Sequence, residues 1–121
     1  MPNLPTPERD SDGRRSQLIK GLAEMALLCV LRGGPCYGLE LLERLNQDAG
    51  LEVADGTIYP LLHRLERAGW VRSDWRTDTE NGRPRKYSSL TENGEAELAT
   101  QLAEWRALRT KLDRLTDGDP R

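Results

Sequence analysis

The 121-residue sequence has no phenylalanine, one histidine and two cysteines, and each scarcity removes a class of function. Cys29 and Cys36 are too few for a disulfide scaffold, and their Cys-x6-Cys spacing is not a usual zinc spacing. No carboxylate cluster converges with them and His63, so neither a metal nor a cofactor is expected. Cys29 falls on an apolar helical stripe and reads as a buried thiol. Cys36 has only Arg32 as a basic neighbour, which gives redox chemistry little support. There is no glycine-rich phosphate loop, no GxSxG turn, and no evident nucleophile beside the lone histidine, so no enzyme is expected. No run approaches the roughly 18 apolar residues of a membrane span. The first fifteen residues carry Pro, Asp and Arg in place of an apolar stretch, so a secretory signal is not expected and the cytoplasm is.

The net charge of -2 shows that the chain is not basic overall. Its positive charge is nevertheless concentrated: residues 57–87 hold seven Lys or Arg against four Asp or Glu. A basic middle inside an acidic chain is a first sign of a polyanion-binding face.

The periodicity gives an order of elements. Residues 1–15 show no apolar repeat and read as a disordered arm. Leu18, Leu22, Met25, Ala26 and Cys29 then mark a helix capped by Ser16 and stopped at Arg32-Gly33-Gly34-Pro35. A second helix is predicted from about Gly38 to Gln47, with Leu42 and Leu45 inward. A third follows Asp55-Gly56, with Ile58, Leu61, Leu62, Leu65 and Ala68 on one stripe. Its opposite side presents Thr57, Tyr59, His63, Arg64 and Arg67. Pro60 loses nothing if Thr57 is the cap, and one backbone bond if Asp55 is.

The period then changes to two. Val71, Ser73 and Trp75 alternate with their neighbours, Asp78 to Pro84 holds an Asn-Gly turn signal, and Arg85 to Leu90 reads as a returning strand. Thr91 caps a last helix from about Glu92 to Leu115. There Leu98, Trp105 and Leu112 recur every seven residues, as do Leu108 and Leu115, with Leu102 beside them. Such a seam requires a facing helix, and this helix would be roughly 36 Å long. Thr116 to Arg121 reads as a flexible tail.

Three helices, a basic hairpin and a long helix form the plan of a mostly α, winged helix-turn-helix fold. It divides into a DNA-binding unit at residues 16–90 and a dimerisation helix at 91–115. The third helix can lie in a major groove, and the hairpin can neutralise adjacent phosphates through Arg83, Arg85 and Lys86. A rival reading is a winged-helix protein–protein module without DNA binding, docking through the acidic second helix (Glu40, Glu43, Asp48). Three cations beside the groove-facing helix argue against it.

Gly34-Pro35-Cys36-Tyr37-Gly38-Leu39-Glu40-Leu41 resembles the GPxxGYEL segment of PadR-type transcriptional regulators. Asp55 to Glu66 is similar to that family's GTLYPxLxRLE recognition helix. Gly82-Arg83-Pro84-Arg85-Lys86-Tyr87, followed by Leu90-Thr91 and Gly94, is similar to its wing. The resemblance covers about Leu18 to Leu115. It implies a homodimer held by the C-terminal helix, bound to a palindromic double-stranded operator and usually repressing a nearby gene. By match, Thr57, Tyr59, His63 and Arg64 face the groove, while Lys86 and Tyr87 belong to the wing. Tyr37, opening the second helix, is a candidate backbone contact. Two positions depart from the pattern: Leu39 replaces a tyrosine, and the acidic Asp55 suits a cap better than a DNA contact. Trp105 either fills the dimer seam or lines a pocket there, since some family members bind planar aromatic effectors near this helix.

Overall fold

The computed structural model describes residues 7–77 and 82–117, with side chains from Gly13 onward. In chain order the elements are α1 (Pro7–Arg32), β1 (Cys36–Tyr37), α2 (Gly38–Glu43), a π-helical turn (Arg44–Asp48), α3 (Asp55–Arg67), β2 (Val71–Thr77), β3 (Pro84–Leu90) and α4 (Glu92–Thr116).

α1 corrects the expected arm, because the helix starts at Pro7 and not after Ser16. Proline costs no hydrogen bond in a first turn, where the N–H has no intrahelical partner. The extra turns escape a search for apolar periodicity because residues 7–15 are polar and hold no apolar repeat. An ion pair from Arg15 to Glu52, 3.6 Å, ties this stretch to the loop before α3. Residues 1–6, 78–81 and 118–121, where the sequence places part of the arm, the Asn-Gly turn signal and part of the flexible tail, lie outside the described residues.

The core is built where the apolar stripes converge. Leu27, Leu28 and Leu31 of α1 meet Leu41, Leu45, Ile58, Leu65, Val71 and Leu98, all essentially inaccessible to solvent. Truncating any of these leucines to alanine is expected to cost about 2–5 kcal/mol. Leu41 joins the core beside the expected Leu45, whereas Leu42 is only partly buried.

The sheet has three antiparallel strands in the order β1-β3-β2. β1 pairs Cys36 with Ser88 and Tyr37 with Tyr87, and it was not expected because two residues carry no readable alternation. β2 and β3 pair Val71 with Leu90 through to Thr77 with Pro84.

α4 is seated on the end of α3. Thr91 Oγ1 accepts from the Gly94 N–H at 3.0 Å, the expected cap, and also donates to the Gly69 carbonyl at 2.6 Å. A Cβ at Gly94 would collide with the Trp70 carbonyl oxygen, so only glycine permits this approach. α4 carries 25 residues. Past Trp105 it outruns the core, leaving Leu108, Leu112 and Leu115 exposed.

Candidate nucleic-acid interface

α3 is presented by a fixed loop. Asn46 Nδ2 donates to the Val53 carbonyl at 2.9 Å, and the Val53 N–H donates back to Asn46 Oδ1 at 2.5 Å. The N-cap is Ala54, so neither Thr57 nor Asp55 takes that role. The Thr57 N–H bonds the Ala54 carbonyl at 3.0 Å. Pro60 therefore sits beyond the first turn and leaves the Gly56 carbonyl without its helical donor, a cost that solvent offsets because Gly56 is exposed. With Ile58, Leu62 and Leu65 in the core, the opposite side shows Gly56, Tyr59, Pro60, His63 and Arg67 to solvent. Thr57 is half-buried on the flank nearest α1.

Tyr59 is 61 % exposed, yet its ring is not free. It lies against the first residue of α2, where a Cβ on Gly38 would stand 2.5 Å from Tyr59 Oη. A small cleft beside it is lined by Leu62, His63, Glu66, Ser73 and Lys86. Glu66 organises that cleft. It accepts from Ser73 Oγ, stands 3.9 Å from Lys86 Nζ through Oε1, and 3.8 Å from His63 Nδ1 through Oε2. One carboxylate thus holds the hairpin to α3.

The pleat divides the expected wing residues between two faces. Lys86 and Ser88 lie on the face toward α3, and so does Trp75, the cross-strand partner of Lys86. Trp75 is 70 % exposed. Arg85 and Tyr87 alternate to the other face. There the Arg85 guanidinium lies over the Tyr37 ring at 4.3 Å, Tyr37 meets Tyr87 edge-on at 5.5 Å, and Arg76 lies over Tyr87 at 5.1 Å. Tyr37 and Tyr87 are therefore half-buried in a stack, a role that no local pattern in the sequence announces. Arg83 is exposed near the hairpin turn.

Arg64 departs from the expected groove-facing direction. It reaches back to α1, where it pairs with Glu24 Oε1. Glu24 Oε2 accepts from Gln101 Nε2 of α4 at 2.8 Å, and the same amide donates to Glu97 at 2.8 Å. Glu24, Glu66 and Gln101 were missed because polar residues at flank positions carry no periodic signal. Ser73 and Trp75 showed in the sequence as strand alternation, but the register that sets them opposite Ser88 and Lys86 comes from the fold.

The seam residues separate as well. Leu98 is consumed by the core of its own chain, and Leu102 packs against it, so the seven-residue spacing overstated the free seam. Trp105 is half-buried and lines a cleft of about 200 Å³ with Leu22, Met25, Gln101 and Leu108 between α1 and α4. A larger cleft of about 450 Å³ flanks α4, floored by Leu90, Leu98 and Leu102 with Arg32 and Arg106 at its rim. Cys29 and Cys36 are free thiols, Cys29 half-buried and Cys36 fully so. Among the described residues no three metal-ligating side chains assemble, and no helix is long and apolar enough to cross a membrane.

A helix-turn-helix whose third helix lies beside a hairpin, extended by a long C-terminal helix, defines a winged helix-turn-helix protein. Comparison with known proteins narrows the class. The profile of the "Transcriptional regulator PadR-like family" matches residues 27–100. A PadR family transcriptional regulator from Eggerthella lenta is 32% identical, with 92% of this chain and 96% of that one covered at a TM-score of 0.79. A Streptococcus transcriptional regulator is 37% identical, with coverage of 83% and 97% and a TM-score of 0.74. A PadR-like transcriptional regulator from Bacillus cereus is 29% identical, with coverage of 84% and 98% and a TM-score of 0.76. No curated protein matches the chain. The chain belongs to the PadR-like family of transcriptional regulators.

Proposed function

We propose that the protein is a homodimeric repressor that binds a palindromic double-stranded operator and is released by a small-molecule effector. The observation that carries the DNA-binding part is the exposed row of α3 beside the wing. Tyr59, His63 and Arg67 face solvent while Ile58, Leu62 and Leu65 hold the helix to the core. Lys86 and Trp75 continue that surface onto the hairpin. A helix with one bare polar side, flanked by a cationic strand pair, matches a major groove and its neighbouring phosphates.

Dimer formation is supported by the leucines that the single chain leaves uncovered. Leu18, Leu108, Leu112 and Leu115 are all more than half exposed, on the two helices that also frame the Trp105 cleft. An apolar surface of this kind requires a partner, and a second copy would supply a self-complementary one. Two recognition helices would then stand about 34 Å apart, one turn of DNA. A planar aromatic compound in the Trp105 cleft would favour a different helix spacing, and that differential affinity is what induction requires.

The test is a mobility-shift titration with the DNA upstream of the protein's own gene, repeated at rising salt and set beside the mass in solution. Binding as a dimer, weakening steeply with salt, is the expected result. A protein that binds no duplex even at low salt is the docking module instead. Leu112→Asp should yield a monomer that has lost operator affinity.

A further inference from the structure

We propose that Glu24 is a positioning residue that withholds Arg64 from DNA, acting as an internal competitor for the phosphate backbone. The inference rests on the DNA-binding reading above and concerns how tightly that interface is set.

Arg64 is the cation of the recognition helix that the fold turns aside. Its guanidinium pairs with Glu24 on α1, and its side chain stays 66% exposed. The planar guanidinium fork meets carboxylates and phosphates with the same geometry. A phosphate approaching α3 therefore competes with Glu24 for the same donors, and Arg64 remains accessible to it. Glu24 is the better shielded partner, with its side chain 19% exposed. A half-buried carboxylate resists losing a cation unless another donor remains.

That second donor comes from α4. Gln101 Nε2 bonds Glu24 Oε2 at 2.8 Å while also reaching Glu97. Gln101 thus leaves Glu24 partly satisfied when Arg64 departs. Without it, Glu24 would depend, among the described residues, on Arg64 alone and hold it more firmly. Gln101 also lines the cleft that contains Trp105. A shift of α4 against α1 that removes this amide therefore tightens the hold on Arg64 and weakens DNA binding. Three elements, α1, α3 and α4, meet at this one carboxylate.

The proposal requires a gain of affinity, which misfolding cannot imitate. Glu24→Gln keeps the shape and removes the charge. Labelled duplexes, one from the upstream region and one unrelated, are titrated with the full-length protein at several salt concentrations. E24Q should bind both several-fold more tightly at low salt, with the log–log salt slope steeper by about one unit for each arginine released. Arg64→Ala/Glu24→Gln should show no gain over Arg64→Ala. Gln101→Met should weaken binding two- to three-fold with Arg64 present and have no effect in the Arg64→Ala background.

E24Q binding that is unchanged or weaker, in a protein with the wild-type melting curve, overturns the restraint. A gain that survives in the Arg64→Ala background overturns it too, because general charge removal would then be the cause. Wild-type silence toward both duplexes sinks the DNA-binding reading itself, and the restraint with it.

Discussion

Tyr59 of α3 lies directly over Gly38 of α2, so close that a Cβ there would stand 2.5 Å from the phenol oxygen and 2.9 Å from Cζ. The absent side chain of one residue thereby sets the direction of another. Gly38→Ala should fold, because the obstructing group is the end of a side chain that can swing aside. The swing would re-aim the hydroxyl. Tyr59→Phe should cost about 1 kcal/mol of operator affinity per half-site if the hydroxyl bonds a phosphate. Gly38→Ala should cost a similar amount, and in the Tyr59→Phe background it should cost much less. Additive losses would show that Gly38 acts independently of Tyr59.

That contact also shows how far the sequence could be read. The helices, the hairpin and the Thr91 cap were legible because apolar period and turn chemistry are local. Both Gly38 and Tyr59 were visible as residues, but their contact spans two elements, and no local pattern encodes it. The same limit hid Glu24 and Glu66, whose carboxylates choose among cations only after folding. It also let Leu98 pass as a seam residue: heptad spacing records that a position is apolar, not which surface covers it. The first turns of α1 were missed for the converse reason, since residues 7–15 are polar and hold no apolar repeat that a periodicity could record.

The two faces of the wing give separable expectations. Lys86 lies toward α3 and is expected to meet phosphate, so Lys86→Ala should weaken binding to all sequences alike. It should also flatten the salt slope by about one unit for each phosphate that is no longer neutralised. Arg85 is engaged with the Tyr37 ring, and Arg85→Ala should additionally remove a cation–π interaction worth about 0.5–1 kcal/mol of stability. Replacing Arg83, Arg85 and Lys86 together should give the largest slope change with the helical dichroism intact. Slopes identical to wild type in all three variants would mean that the hairpin stands clear of DNA.

Cys36 makes stability depend on alkaline pH. The residue is 1% exposed, and burial pushes its thiol above the ordinary value of 9.0, with Arg44 opposing the rise and Glu40 adding to it. Above pH 9 the unfolded chain releases this proton while the folded chain keeps it, so unfolding becomes easier as pH rises. The contribution is complete below pH 9 and is lost as pH climbs through the raised folded value. Urea midpoints for wild type and Cys36→Ala at pH 7 to 10.5 check it. The difference between the two should be constant up to pH 9 and shrink above it. A difference that stays constant throughout would show that the buried thiol ionises as freely as in the unfolded chain.

Trp105 decides whether the α1–α4 cleft is a switch or only a gap in the packing. Its indole is half-buried beside Leu22, Met25 and Leu108, with Gln101 and Glu104 also lining the cleft, a mixed setting whose apolar part a flat ring could enter. Two other tryptophans would obscure its signal: Trp70, packed against the core, and Trp75 on the wing. With Trp70→Phe and Trp75→Phe in place, emission reports Trp105 alone. A planar aromatic compound that stacks there should quench the emission. If it favours a different spacing of the paired helices, it should lower operator affinity over the same concentration range, because the coupling between two sites is reciprocal. Operator DNA should in turn weaken the quenching by the same factor. Quenching that leaves operator affinity untouched would make the cleft an adventitious pocket, and Trp105 a packing residue of the helix pair.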